Sequence, residues 1–205
     1  MRRLIVGITG ASGAIYGIRV LEALAPLPGI EAHLVISTAG MQTIVEETGR
    51  SVADVRALAD VAYSDRDIGA AVASGSFRAD GMLIAPCSIK TLSAVANSRC
   101  DTLVARAADV CLKERRRLVL LVRETPFHLG HIEMMARAVR YGAVIMPPVP
   151  AFYHHPQTID DIVDQTVGRS LDLFDIDAGL VRRWKDEPAE DPAAGKVTPL
   201  PGKRR

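Results

Sequence analysis

The 205-residue sequence is short of aromatic rings, of charge of one sign and of long apolar runs, and each shortage excludes a class of protein. Aromatic residues make up 4%, with a single tryptophan, so few rings are at hand to stack along a nucleic acid strand. Lys and Arg number 25 against 24 Asp and Glu, leaving a net charge of +1, which is no electrostatic footprint for a polyanion. No nucleic acid partner is expected. No apolar run approaches the roughly 20 residues of a membrane span, although mean hydropathy is +0.15, so no membrane insertion is expected either. The three cysteines, Cys87, Cys100 and Cys111, are an odd number without CxxC spacing. That argues against a disulfide framework or structural zinc and for free thiols in a reducing cytoplasm. Arg2 and Arg3 precede an apolar stretch, Leu4 to Thr9, that is too short for a signal peptide.

What remains is a globular composition, 48% hydrophobic and 24% charged, at the length of one domain. So apolar a chain is expected to bury surface in contacts with copies of itself. Short apolar runs alternate with amphipathic stretches. Residues 3–9, 31–37, 81–85, 118–122 and 143–146 read as strands, several nearly continuous in Val, Ile and Leu, as strands covered on both faces are. Residues 14–25, 39–47, 89–96, 102–115 and 129–139 read as helices, and Thr158 caps a further one running to about Phe174. The alternation predicts an α/β fold: a three-layer, mostly parallel, doubly wound sheet with right-handed crossovers. A single domain is expected over 1–184. The stretch 185–205 holds four of the twelve prolines, mixed charges and no periodicity, and reads as a tail.

In such sheets ligands bind outside the carboxyl ends of the strands, so the loops there carry the functional information. After the first strand come Gly7-Ile-Thr-Gly10-Ala11-Ser12-Gly13, glycines that let amides approach an anion at a helix N-terminus. The spacing is GxxGxxG and not GxGxxG, and the second strand ends in Ser37 where a dinucleotide fold carries an acid. A mononucleotide fits better than NAD. The third strand ends in Pro86-Cys87-Ser88-Ile89-Lys90-Thr91, a second hydroxyl-bearing cradle, and the fourth in Arg123-Glu124-Thr125-Pro126, which offers an acid/base carboxylate beside a guanidinium. Glu46-Glu47 could bring another carboxylate to this edge. Arg106 and Lys113 stand seven apart on one helix, as a phosphate clamp would, although Asp109 at i−4 offers Lys113 an ordinary salt bridge. Asp160-Asp161-Ile-Val-Asp164 spells DDxxD, the diphosphate–magnesium motif of all-helical prenyl-chain synthases. In an α/β chain it reads instead as negative charge at a helix start. His128, His131 and Glu133, with His154-His155, make no catalytic zinc signature, and no metal is expected.

Six blocks, TGASGAIYG (9–17), LVIS (34–37), PCSIKTL (86–92), RAADVCLKERR (106–116), RETPFHLGHIEMM (123–135) and PPVPAFYHHPQTIDDIVDQTVGRSLDLF (147–174), resemble in order the UbiX-type flavin prenyltransferases, formerly described as aromatic acid decarboxylases. The resemblance spans about Arg3 to Trp184 and implies a Rossmann-like flavoprotein sheet assembled as a dodecamer with active sites between subunits. It implies that FMN is held by Gly10, Ala11, Ser12, Ser37, Ser88, Ile89, Lys90, Thr91 and Arg123. Tyr153 and Arg169, with Lys113 and Arg106, would bind the prenyl phosphate, and Trp184 would close over the site. Glu47, Glu124, Lys113 and Ser12 would be catalytic. The implied reaction alkylates reduced FMN with dimethylallyl phosphate, first at N5 with loss of phosphate, then at C6 after protonation of the alkene. The product, prenylated FMN, would serve a UbiD-type decarboxylase. Two alternatives stay in view: an FMN-dependent decarboxylase of the phosphopantothenoylcysteine decarboxylase type, and a non-catalytic flavin-delivery subunit. The first is disfavoured because the first helix has no His and PCSIKTL stands in place of a PxSANT-like loop. The second would need the flavin residues but not Glu124, Lys113 and Arg169 together.

Overall fold

A computed structural model describes residues 1–185. Six strands, β1 (Arg2–Ile8), β2 (Ile30–Ile36), β3 (Val61–Ser64), β4 (Gly81–Cys87), β5 (Arg117–Val122) and β6 (Ala143–Ile145), form one sheet in the order β3-β2-β1-β4-β5-β6. All its ladders are parallel, where the sequence promised a mostly parallel sheet. The helices are α1 (Ala14–Leu24), α2 (Thr38–Thr48), α3 (Val52–Arg56), α4 (Ile89–Ala96), α5 (Leu103–Lys113), α6 (Leu129–Arg140) and α7 (Ile159–Asp172).

Alternating strand residues feed two cores. Leu4, Val6 and Ile8 of β1, Leu83 and Ala85 of β4, and Val119 and Leu121 of β5 pack with α1, Ile44 of α2 and Val163, Val167 and Leu171 of α7. Ile5, Met82, Ile84, Leu118 and Leu120 face the other way, onto α4, α5 and Ala138 of α6. Both faces are covered, which is why these strands are apolar throughout. Gly17 lets α1 close on the sheet: a Cβ there would stand 2.2 Å from the Ala85 carbonyl. Thr158 caps α7 with Asp161 in a reciprocal capping box, and Asp164 pairs with Arg19 of α1, so two of the three DDxxD carboxylates serve the fold.

Residues 48–80 hold three elements for which the sequence reading had none: α3, β3 and a short 3-10 helix at Ala71–Ala73. β3 is a four-residue edge strand with alternating half-buried and exposed residues, too short and too polar to stand out as a buried run. The suggested tail, from residue 186 onward, lies outside the described residues.

Candidate active site

The strand order reverses between β1 and β4, and the connections leaving these two strands run to opposite faces of the sheet, into α1 and α4. This is where an open α/β sheet makes its ligand crevice. The crevice holds a cavity of about 600 Å³ lined by Gly10, Ala11 and Ser12 after β1, and by Ser37, Thr38 and Ala39 after β2. Ser88, Ile89, Lys90 and Thr91 follow β4, and Arg123 and Glu124 follow β5. All nine residues expected to hold FMN line it, and Glu124 stands among them. Thr9 ties the two central loops together: its hydroxyl donates to the Pro86 carbonyl at 2.8 Å and accepts the Ser88 amide at 2.8 Å.

Four helices begin around this cavity, and their first amides have no partner within the helix. Two of the four are answered by the chain's own carboxylates. Glu47 Oε2 accepts the amides of Gly13 at 2.8 Å and Ala14 at 3.0 Å, at the start of α1. Burial opposes the charge on Glu47, but the Ser12 hydroxyl, those two amides and Arg123 outweigh it and hold the carboxyl below its ordinary value. Asp65, at the end of β3 and nearly buried, accepts the Val104 amide at 2.9 Å at the start of α5. The glycine loop was expected to present its amides to a ligand anion. At Gly13 and Ala14 the anion is Glu47 instead, because α2 runs back past the loop and delivers a carboxylate at hydrogen-bond distance.

The starts of α2 and α4 are closed only by their own hydroxyls, Ser37 on the Gly40 amide at 3.0 Å and Ser88 on the Thr91 amide at 3.2 Å. The remaining first-turn amides, those of Thr38, Ala39, Ile89 and Lys90, belong to residues that line the cavity. Two helix N-termini without a carboxylate cap, with Lys90 and Arg123 at the same wall, favour a bound phosphate. The volume suits a mononucleotide. The residues present therefore fit FMN.

The side chains expected on the prenyl phosphate are not gathered here within one chain. Lys113 sits at the last turn of α5, toward the amino edge of the sheet, paired with Glu114. Arg106 donates to the Ala73 carbonyl at 3.2 Å and to Asp109 at 3.1 Å, outside the lining. Arg169 shares Asp172 with Arg183 near the end of α7. Tyr153 and Trp184 do meet, edge to face with centroids 5.4 Å apart, against α7 and away from the cavity lining. The supposed cluster of Arg106, Lys113, Arg123 and Arg169 is thus dispersed in the single chain. α5 starts at the cavity but runs away from it to the other edge of the sheet, carrying Lys113 there, and α7 lies on the opposite face from α5.

Sequence reasoning missed one wall of the cavity, formed by Asp65, Ala94, Arg99, Asp101, Thr102, Val104 and Ala105. Thr102 as the N-cap of α5 was a usable signal. Asp65 was not, because its partner amide lies 39 residues away.

The Flavoprotein family model matches residues 1–171. The chain is 58% identical over 182 residues to the flavin prenyltransferase UbiX of Thauera aromatica, covering 89% of this chain and 93% of that protein. It is 59% identical over 187 residues to the flavin prenyltransferase UbiX of Escherichia coli (strain K12), covering 90% and 99%. Among solved structures, AnUbiX (PadA1) in complex with FMN and dimethylallyl pyrophosphate superposes with a TM-score of 0.87 at 54% identity, over 89% of this chain and 97% of that one. A dodecameric FMN-dependent UbiX-like decarboxylase from Escherichia coli O157:H7 superposes with a TM-score of 0.87 at 49% identity, over 89% and 98%. By its crevice, its sequence and its fold, the chain belongs to the UbiX flavin prenyltransferase family of flavoproteins.

Proposed function

We propose that this chain joins the dimethylallyl group of dimethylallyl phosphate to N5 and C6 of reduced FMN and releases prenylated FMN to a UbiD-type decarboxylase. The observation that carries this reading is the crevice itself, in which all nine expected flavin residues and Glu124 line one cavity. FMN supplies the nucleophilic ring; the protein supplies position, charge and protons. The starts of α2 and α4, with Lys90 and Arg123, take the FMN phosphate. Ile89, Ala11 and Ala39 offer apolar contact to the flavin. Glu124, whose Oε1 accepts the Thr125 amide at 2.9 Å, is the carboxyl group that relays a proton at the allylic fragment. Glu47 holds Ser12 and the α1 amides in place and adds negative charge near a developing cation.

Tyr153, Arg169 and Trp184, together with Arg106 and Lys113, act from neighbouring subunits, as positive charge and aromatic cover for the allylic phosphate. Large apolar side chains exposed at Phe127, Leu129 and Ile132, and again at Val149 and Phe152, support an assembly that buries them. We take that assembly to be a dodecamer, with residues 1–184 as one flavin-binding unit. No described helix is long and apolar enough to cross a membrane. The three free thiols, Cys87, Cys100 and Cys111, support a cytoplasmic location.

Anaerobic incubation with reduced FMN and dimethylallyl phosphate, followed by mass spectrometry of the flavin, tests the function. A five-carbon adduct is expected. Bound FMN without an adduct, from either the monophosphate or the pyrophosphate donor, rejects it, and running the two donors side by side decides which is used.

A further inference from the structure

Gln165, on α7, is 4% exposed and has every polar atom of its side chain engaged. Its Oε1 accepts the backbone N–H of Arg182 at 3.0 Å. Its Nε2 donates to the Arg182 carbonyl at 3.3 Å and to the Tyr153 hydroxyl at 2.8 Å. The Arg182 backbone settles which end of the amide is which, since an N–H needs an acceptor and a carbonyl needs a donor. The Tyr153 oxygen therefore receives a hydrogen bond from Gln165 and cannot give one back. Its single proton is left to point away from α7. Tyr153 is 39% exposed, so the residue can be reached from outside the chain. Trp184, with ring centroids 5.4 Å from Tyr153, and His154, at 5.6 Å, both stand edge to face against the phenol and confine it.

We propose that Gln165 is a positioning residue for the prenyl donor: by donating to the Tyr153 oxygen, it commits the phenol as an outward hydrogen-bond donor to the phosphate of an allylic phosphate. This rests on the reading of Tyr153 as a ligand of that phosphate. A hydroxyl free to rotate can turn either lone pairs or proton toward an anion, and only the proton attracts it. The bond that Tyr153 accepts also polarises its O–H and strengthens what it gives. The same amide clasps residue 182 to α7 and thereby keeps Trp184 against Tyr153.

The test compares Gln165→Glu and Gln165→Met, each with Tyr153 present and in combination with Tyr153→Phe, in the full chain. Glutamate keeps the acceptor for the Arg182 N–H but presents an acceptor to the phenol, turning its proton inward. Methionine fills the space, drops both Arg182 bonds and leaves the phenol free to rotate. Gln165→Glu is expected to raise KM for dimethylallyl phosphate about tenfold or more, the scale of a lost hydrogen bond to a charged group, with kcat less affected and FMN affinity unchanged. Gln165→Met is expected to do less harm, and neither substitution to add to the loss in Tyr153→Phe. Unchanged KM in Gln165→Glu overturns the proposal. So does a larger loss in Gln165→Met than in Gln165→Glu, or an equal loss with and without the tyrosine hydroxyl, because a merely structural glutamine behaves in those ways. If Gln165→Glu does not fold, Gln165→Met decides alone: a raised KM that disappears in the Tyr153→Phe background supports the proposal, and any other result rejects it. Wild-type KM and kcat in Tyr153→Phe itself would instead reject the Tyr153 assignment.

Discussion

Glu47 and Glu124 are carboxylates at the same edge of one sheet, and their partners divide their work. Glu124 lines the cavity, with one of its oxygens on the Thr125 amide; in the proposed function the other meets the substrate. Glu124→Gln is expected to keep FMN binding, read by flavin fluorescence, while turnover falls by more than about 100-fold, the low end of general acid–base effects. Glu47 is bound to Ser12 and two amides, which hold its carboxyl below the ordinary value despite partial burial. The folded chain therefore binds this proton more weakly than the unfolded chain does. The stability from Glu47 is present above the ordinary carboxylate pKa and is lost as pH falls through the lowered one. Melting temperatures of wild type and Glu47→Gln should differ modestly at neutral pH, since the group is largely exposed. The two should converge in acid; a gap that widens instead would contradict the assignment.

At the scale of elements, the site depends on how closely α1 rides over the sheet. A Cβ at Gly17 would meet the Ala85 carbonyl at 2.2 Å, backbone that cannot step aside without moving the β4 end and its Pro86–Thr91 loop. Gly17→Ala is expected to cost roughly 1–3 kcal/mol in chemical denaturation and to weaken FMN binding in parallel. Stability lost with affinity intact would mean that the crevice is insulated from α1. The elements legible in the sequence were those whose pattern is local: buried strands as continuous apolar runs, helices opening on Ser37, Ser88, Thr102 or Thr158. β3 escaped because an edge strand only four residues long carries little signal. With β3 went Asp65, whose role as a cap depends on a helix that begins 38 residues later.

For the whole molecule, the proposed function makes catalysis a property of the assembly, because Lys113, Arg169 and Tyr153 stand away from the cavity of their own chain. Ile132→Asp, at an exposed apolar position on α6, is expected to shift native mass toward smaller species. It should depress prenyl transfer far more than FMN binding. A variant that dissociates yet keeps wild-type turnover would place the whole site in one chain.

The amino-acid sequence determined the sheet's buried strands, the loops at their carboxyl ends and the chemistry those loops carry, because side chains a few residues apart on one loop stay together however the chain folds. Tertiary structure alone decided which helix starts are left open for a phosphate, since the carboxylates of Glu47 and Asp65 that close α1 and α5 arrive from 33 or more residues away. It also decided that the basic and aromatic residues of α5, α7 and residues 153–184 stand apart from the cavity of their own chain. α5 and α7 pack on opposite faces of the sheet, and sequence spacing carries no record of that distance.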